Sequence, residues 1–143
     1  MTQLADQVRE YFRALDAREL DRAADMLAAD CDFIAPGFST RSPEQAMMWM
    51  RTFFDACPDI RHEVTAVVAD GDRAMTELRV RGTHTGPLQS PAGEVPATGR
   101  TIDLPVANAW RMRDGRVAVY HIYFDRMEFL GQLGLLPEPA TAA

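Results

Sequence analysis

Apolar residues recur every three or four positions up to Cys57 and every second position from Arg61 onward, and this change of period divides the chain. Leu4, Val8, Tyr11, Phe12 and Leu15 fall on one helical face with charges opposite, which predicts an amphipathic first helix. A second, short helix is predicted with Leu20, Ala23, Ala24 and Leu27 as its stripe. "CDFIAPG" reads as a brief extended piece ended by Pro36 and Gly37. In "STRSPEQAMMWMRTFFDACP", Ser42 is suited to cap a third helix, Pro43 to its first position and Gln45 to the capping box. Met47, Met50 and Phe54 form its stripe, Trp49 and Phe53 adjoin it, and Pro58 marks the stop.

Beyond residue 61, "RHEVTAVVAD" and "RAMTELRVRGTHTG" predict two long strands joined at "DGD". "TIDLPVANAWRMR" and "RVAVYHIYF" predict two more, joined by the hairpin signal Asp114-Gly115. Between the pairs, residues 87–100 are rich in Pro and Gly and read as a mobile flap over one end of the sheet. After the last strand, Asp125 stands three positions before Glu128, so it reads as the N-cap of a terminal helix rather than as a catalytic acid. Gly134 and Pro137 end that helix, leaving a tail at about 137–143. Alternation sets Tyr120, Ile122 and Phe124 on one face of the last strand and His121 and Tyr123 on the other. If the first group lines a cavity, His121 and Tyr123 face outward, into a subunit contact. The whole is one α+β domain, 1–143: a four-stranded antiparallel meander, curved and packed on the N-terminal helices, enclosing a concave apolar interior.

Composition narrows the chemistry. Net charge is −6 with no basic stripe, which argues against nucleic acid. All 15 basic residues are Arg, so a Schiff-base lysine and a P-loop are excluded. His62, His84 and His121 stand alone, and Cys31 and Cys57 fit no ligand spacing, so no metal and no cofactor are expected. The N-terminal stretch is charged, no run is long enough to cross a bilayer, and a cytoplasmic protein without membrane contact is expected.

Four stretches in order, "ALDARELDRAADMLAADCDF", "GTHTG", "PATGRTI" and "FDRMEFLGQLGLLP", resemble the nuclear transport factor 2-like fold and, within it, the SnoaL-like polyketide cyclase family. The resemblance spans nearly the whole chain. It implies a cone-shaped α+β barrel, a homodimer, a hydrophobic small-molecule substrate, and a role in secondary metabolism such as antibiotic biosynthesis. It also implies what is missing. The His and Asp of the cyclases' last strand fall at Tyr120 and Ile122. The base of the related ketosteroid isomerases falls at Ala35, before Pro36. Their oxyanion-binding Tyr matches Tyr11, their second acid falls at Asn108, and His84 of "GTHTG" matches a His common in the set. Ile and Ala cannot remove a proton. The catalytic candidates left are therefore His84, Asn108, Tyr11 and Tyr120, with Glu77 behind them.

Each has a plainer alternative. His84 is either the best remaining base or a partner of the flap backbone. Asn108 is either satisfied by neighbours or aimed at a ligand. Tyr11 suits a helix core as well as a site. Phe33, Phe38, Met47, Trp49, Trp110, Ile122 and Phe124 each read as core, and together as a soft, aromatic wall for substrate. Glu77, Arg79 and Arg81 read as a solvated sheet face. The expected function is a cofactor-free cyclase or isomerase that templates a polyketide-like substrate and donates hydrogen bonds to it. The rivals are a non-catalytic binder of an apolar metabolite and a hydroxylase or epoxide hydrolase of the same fold.

Overall fold

The computed structural model describes residues 3–136, so the tail expected at 137–143, with Pro137, lies outside the described residues. Helices α1 (Gln3–Asp16), α2 (Leu20–Asp25) and α3 (Pro43–Ala56) come first, interrupted by strands β1 (Leu27–Ala35) and β2 (Phe38–Thr40). Strands β3 (Arg61–Asp70) and β4 (Arg73–Thr83), a small hairpin β5 (Leu88–Ser90) and β6 (Gly93–Val95), then β7 (Thr101–Arg113) and β8 (Arg116–Tyr123) follow. Helix α4 (Arg126–Gln132) closes the described chain.

The four long strands and their antiparallel pairing are as the alternation predicts, but the sheet is larger than the expected meander. It has six strands in the order β2-β1-β8-β7-β4-β3. The "brief extended piece" is in fact a nine-residue strand, β1, that begins at Leu27 and pairs parallel to β8. Leu27 therefore belongs to the sheet and not to the stripe of α2. Residues 87–100 carry a hairpin rather than a plain flap: Leu88 is buried, and the Gly86 N–H bonds the Ala56 carbonyl at the end of α3. Asp114 and Gly115 both take positive φ (53° and 79°), the backbone a two-residue hairpin turn needs.

Irregular pairing bends the sheet at Val64–Ala66 against β4, at Arg111–Met112 against β8, and at Leu27–Asp32 of β1. Its concave face receives α1 and α3, and the even-numbered residues of β4, β7 and β8 point there: Leu78, Ile102, Leu104, Val106, Trp110, Tyr120 and Ile122 are all buried. Tyr123 on the opposite face is exposed and His121 half-buried. Asp125 is the cap its spacing implies, its Oδ1 accepting the Met127 and Glu128 N–H groups at 2.9 and 3.1 Å.

Candidate functional site

The concave face and the helices enclose a cavity of about 70 Å³. Its wall is almost wholly apolar: Leu78, Ile102, Leu104, Val106 and Ile122 from the sheet, and Met50, Phe53 and Phe54 from α3. Trp49, Phe53, Phe124 and Phe129 form a contiguous aromatic cluster on the wall, the ring pairs 4.6, 5.7 and 6.3 Å apart between centroids. Trp49, Phe53 and Phe124 are only partly buried, so this cluster is the thin side of the enclosure. A void of this size suits a few waters, whereas pockets for drug-sized ligands run to about 300–1,000 Å³.

Polar groups on the wall are few, and one is oriented by a chain of bonds. Thr76 faces Asn108 directly across the β4–β7 ladder. The Trp110 indole N–H, which can only donate, gives its hydrogen to Thr76 Oγ1 at 3.1 Å. The Thr76 hydroxyl in turn donates to Asn108 Oδ1 at 2.7 Å. All three residues are buried. With Oδ1 so engaged, the Asn108 amide nitrogen is the end left to the cavity, and among the described residues it has no hydrogen-bond partner. The site thus presents a fixed, neutral N–H donor in an apolar hollow, where such a donor acts most strongly on a developing oxyanion.

Tyr120 is on the same wall, stacked on Trp110 at 4.1 Å. Desolvation pushes its phenol far above the ordinary tyrosine value, only partly offset by the Tyr11 hydroxyl. Tyr11 is displaced upward too, first by burial and then by Tyr120. Both are therefore neutral donors and not bases. Tyr11 itself lies behind Tyr120, ring edge to ring face at 5.2 Å, off the cavity wall. Its buried hydroxyl finds no partner of good geometry among the described residues, although it is near enough to Tyr120 for each phenol to perturb the other.

His84 is also off the cavity wall. Its Nδ1 accepts the Thr98 N–H at 3.2 Å and lies 2.9 Å from the Thr98 hydroxyl, while its own N–H and C=O bond Arg100 and Gly99. It ties the far end of the 87–100 segment to β4. Burial lowers its imidazole from the usual 6.5, against an opposing pull from the Gly86 backbone, so its neutral form is favoured. Of the expected substrate-wall residues, Trp49, Ile122 and Phe124 are on the cavity. Phe33, Trp110 and Met47 are not: Phe33 packs on Tyr120 and Trp49 from behind, Trp110 backs Tyr120, and Met47 faces a groove beside α2. Glu77 is exposed on the convex face, where Arg79 and Arg81 pair with Asp103 and Glu63.

One wall residue was not anticipated. His62, at the start of β3, lines the cavity, and its Nδ1 is 2.7 Å from Asp16 Oδ1 at the end of α1. Asp16 also accepts the His62 backbone N–H, at 3.1 and 3.2 Å from its two oxygens. The two positions are far apart in sequence, so no local pattern announces the pair. The only signal was that "RHEV" places a His at a strand position of the inward alternation. Among the described residues, no group of three or more His, Cys, Asp or Glu gathers as metal ligands would. Burial pushes the Cys31 thiol up to about 12 and Cys57 up to about 11, which makes both poor nucleophiles.

Comparison with known proteins sets this geometry in a family. The SnoaL-like domain profile matches residues 8–120, most of the chain. The chain belongs to the SnoaL-like family. Among solved structures, this SnoaL-like chain is similar to AclR of Streptomyces galilaeus, a proposed hydroxylase, with TM-score 0.80 and 22% identity over 95% of this chain and 83% of that one. IdmH of Streptomyces antibioticus, a proposed polyketide cyclase, gives TM-score 0.79 and 26% identity over 93% and 99%. A protein of ketosteroid isomerase-like fold from Catenulispora acidiphila, in complex with trimethylamine, gives TM-score 0.75 and 19% identity over 91% and 93%. No curated protein matches the chain. The fold is the expected one, and none of the described helices is long and apolar enough to cross a membrane.

Proposed function

We propose that this SnoaL-like chain is a cofactor-free cyclase or isomerase that acts on a hydrophobic, polyketide-like small molecule. The observation that carries the reading is the Trp110–Thr76–Asn108 chain, which leaves an amide donor to a largely apolar cavity. The Thr76 bond accounts for the Asn108 oxygen alone, and its nitrogen is left for a ligand oxygen. Asn108 and the neutral Tyr120 phenol would hold a carbonyl or enolate oxygen, while the apolar wall confines the carbon skeleton and brings reacting ends together. Tyr11 supports Tyr120 from behind, and His84 fixes the flap. IdmH, a proposed polyketide cyclase at 26% identity, supports the substrate class.

A homodimer is proposed on the convex face. One row runs straight across five strands, Val68–Met75–Ala109–His121–Ile34, and Val68, Met75 and Ile34 are exposed in it. The rival reading is a non-catalytic binder, favoured by how little polar surface the cavity has. The test is to incubate the protein with a panel of polyketide-type enones and quinones and follow them by chromatography and mass. A new peak of unchanged mass supports cyclisation or isomerisation. Ligand bound and recovered unaltered supports the binder, and a gain of one oxygen atom supports hydroxylation.

A further inference from the structure

The cavity was expected to lack the carboxylate bases of its relatives, whose positions fall at Ile122 and Ala35, and to have His84 as the best base left. His84 is off the cavity wall, and the imidazole on it is that of His62. Asp16 accepts from both the backbone N–H and the ring of His62, so one carboxylate anchors the main chain and the Nδ1 edge of the imidazole together. A carboxylate at Nδ1 fixes the tautomer with hydrogen on Nδ1 and leaves the lone pair on Nε2. Phe12 lies against the ring at 5.4 Å and Phe54 at 6.3 Å. These aromatic neighbours leave Nε2 without a protein partner among the described residues, on a ring that is part of the cavity wall. Arg18, also nearby, is directed elsewhere: it donates to the Pro58 and Ile60 carbonyls and covers Phe54 at 4.1 Å. Those bonds tie the α1–α2 turn to the residues just before His62, and so hold Asp16 and His62 in register.

We propose that His62 Nε2 is the general base of this cavity and that Asp16 is its positioning residue, so that proton transfer starts from β3 rather than from β8. This rests on the reading of the cavity as a substrate site. His62 removes a proton from a carbon beside a carbonyl. The electron pair of the broken C–H bond forms the enolate double bond, and the carbonyl pair moves onto oxygen, held by Asn108 Nδ2 and the Tyr120 hydroxyl. The imidazolium, beside the Asp16 carboxylate, returns the same proton to another carbon of the conjugated system, and the oxygen regains its double bond. Protons and electrons balance without a further reactant.

The probe is 2-indanone, a small two-ring ketone whose acidic C–H protons exchange through the enolate. Exchange into deuterated buffer is followed by proton NMR and binding by Trp49 fluorescence, with thermal unfolding as a control on each variant. Wild type should accelerate exchange well above buffer. His62→Gln should lose at least about 100-fold of that acceleration, as removal of a general base does, with its dissociation constant unchanged. Asp16→Asn should lose less and should move the imidazole to the Nε2–H tautomer in a nitrogen–proton correlation spectrum. A structural role for Asp16 would not produce that shift.

Full exchange by a folded His62→Gln overturns the base assignment and leaves the cavity reading intact. Binding without exchange by wild type does the same. A wild-type imidazole protonated on Nε2 and not Nδ1 overturns the assignment without any ligand. Absence of binding by wild type overturns both readings together.

Discussion

Thr76 stands between an indole that can only donate and an amide that can do either, and a single hydroxyl thereby decides which end of Asn108 meets the cavity. Thr76→Val keeps the shape and removes both bonds. It strands the Trp110 N–H and the Asn108 oxygen in a buried setting, at a cost of about 1–3 kcal/mol for each unsatisfied group. The expected result in urea titration is a folded protein destabilised by a few kcal/mol that has also lost carbonyl-ligand affinity, because Asn108 is free to turn. His84 gives a pH signature. Its folded value lies below the ordinary 6.5, so above that pH both states are neutral and the protein has its full stability. As pH falls through 6.5 the unfolded chain takes up the proton first, and stability drops until the folded imidazole titrates as well. His84→Asn should flatten that slope when midpoints are compared between neutral and mildly acidic buffers. At this scale the sequence was only half legible. Asn108 and Tyr120 were legible through the family resemblance, which sets both at site positions, and alternation agrees in turning Tyr120 inward. The His62–Asp16 pair was missed because 46 positions separate its members and only the tertiary fold joins them.

Helix α4 is short, yet both of its ends are specified. Asp125 caps the first turn, and the last turn closes with the Gly134 N–H on Gly131 and the Leu135 N–H on Leu130, Gly134 taking φ 73°. That is the six-to-one and five-to-two pattern of a Schellman ending. Between these ends the helix carries Phe129, buried, into the aromatic side of the cavity. Phe129 packs there on Phe53 and Phe124, so the hold of α4 on the chain bears on that side of the cavity. Asp125→Ala should cost about 1 kcal/mol of helix stability. Hydrogen exchange should speed up at residues 127–132 while β8 stays protected, with ligand association faster and retention poorer. Ending β8 and starting α4 were both readable from one stretch, since a period-two run gives way at an Asp that has a Glu three residues on. The hairpin inside 87–100 was not readable, because its two strands are each three residues long and its Pro and Gly content looks like loop.

Across the whole molecule, the feature that local pattern did not reveal is β1. Its parallel pairing with β8 joins segments some ninety positions apart and carries the edge strand β2 into the sheet. Parallel neighbours leave no turn signal between them, so alternation over a short stretch could show a strand but not its partner. The convex row from Val68 to Ile34 exists only because five strands are in register. If it forms the proposed dimer contact, Met75→Glu should give a monomer in light-scattering chromatography with the cavity's ligand affinity unchanged; a persistent dimer would put the contact elsewhere.

On the proposed reading, this apolar hollow receives a carbonyl compound and offers it the Asn108 amide. The most direct check is a crystal structure of the protein with 2-indanone. The predicted result is a ketone oxygen about 3 Å from Asn108 Nδ2, with the Thr76 bond kept and the rings against Phe124 and Trp49. A ligand bound outside the hollow, or one inside it with Asn108 turned to present its oxygen, would contradict the claim.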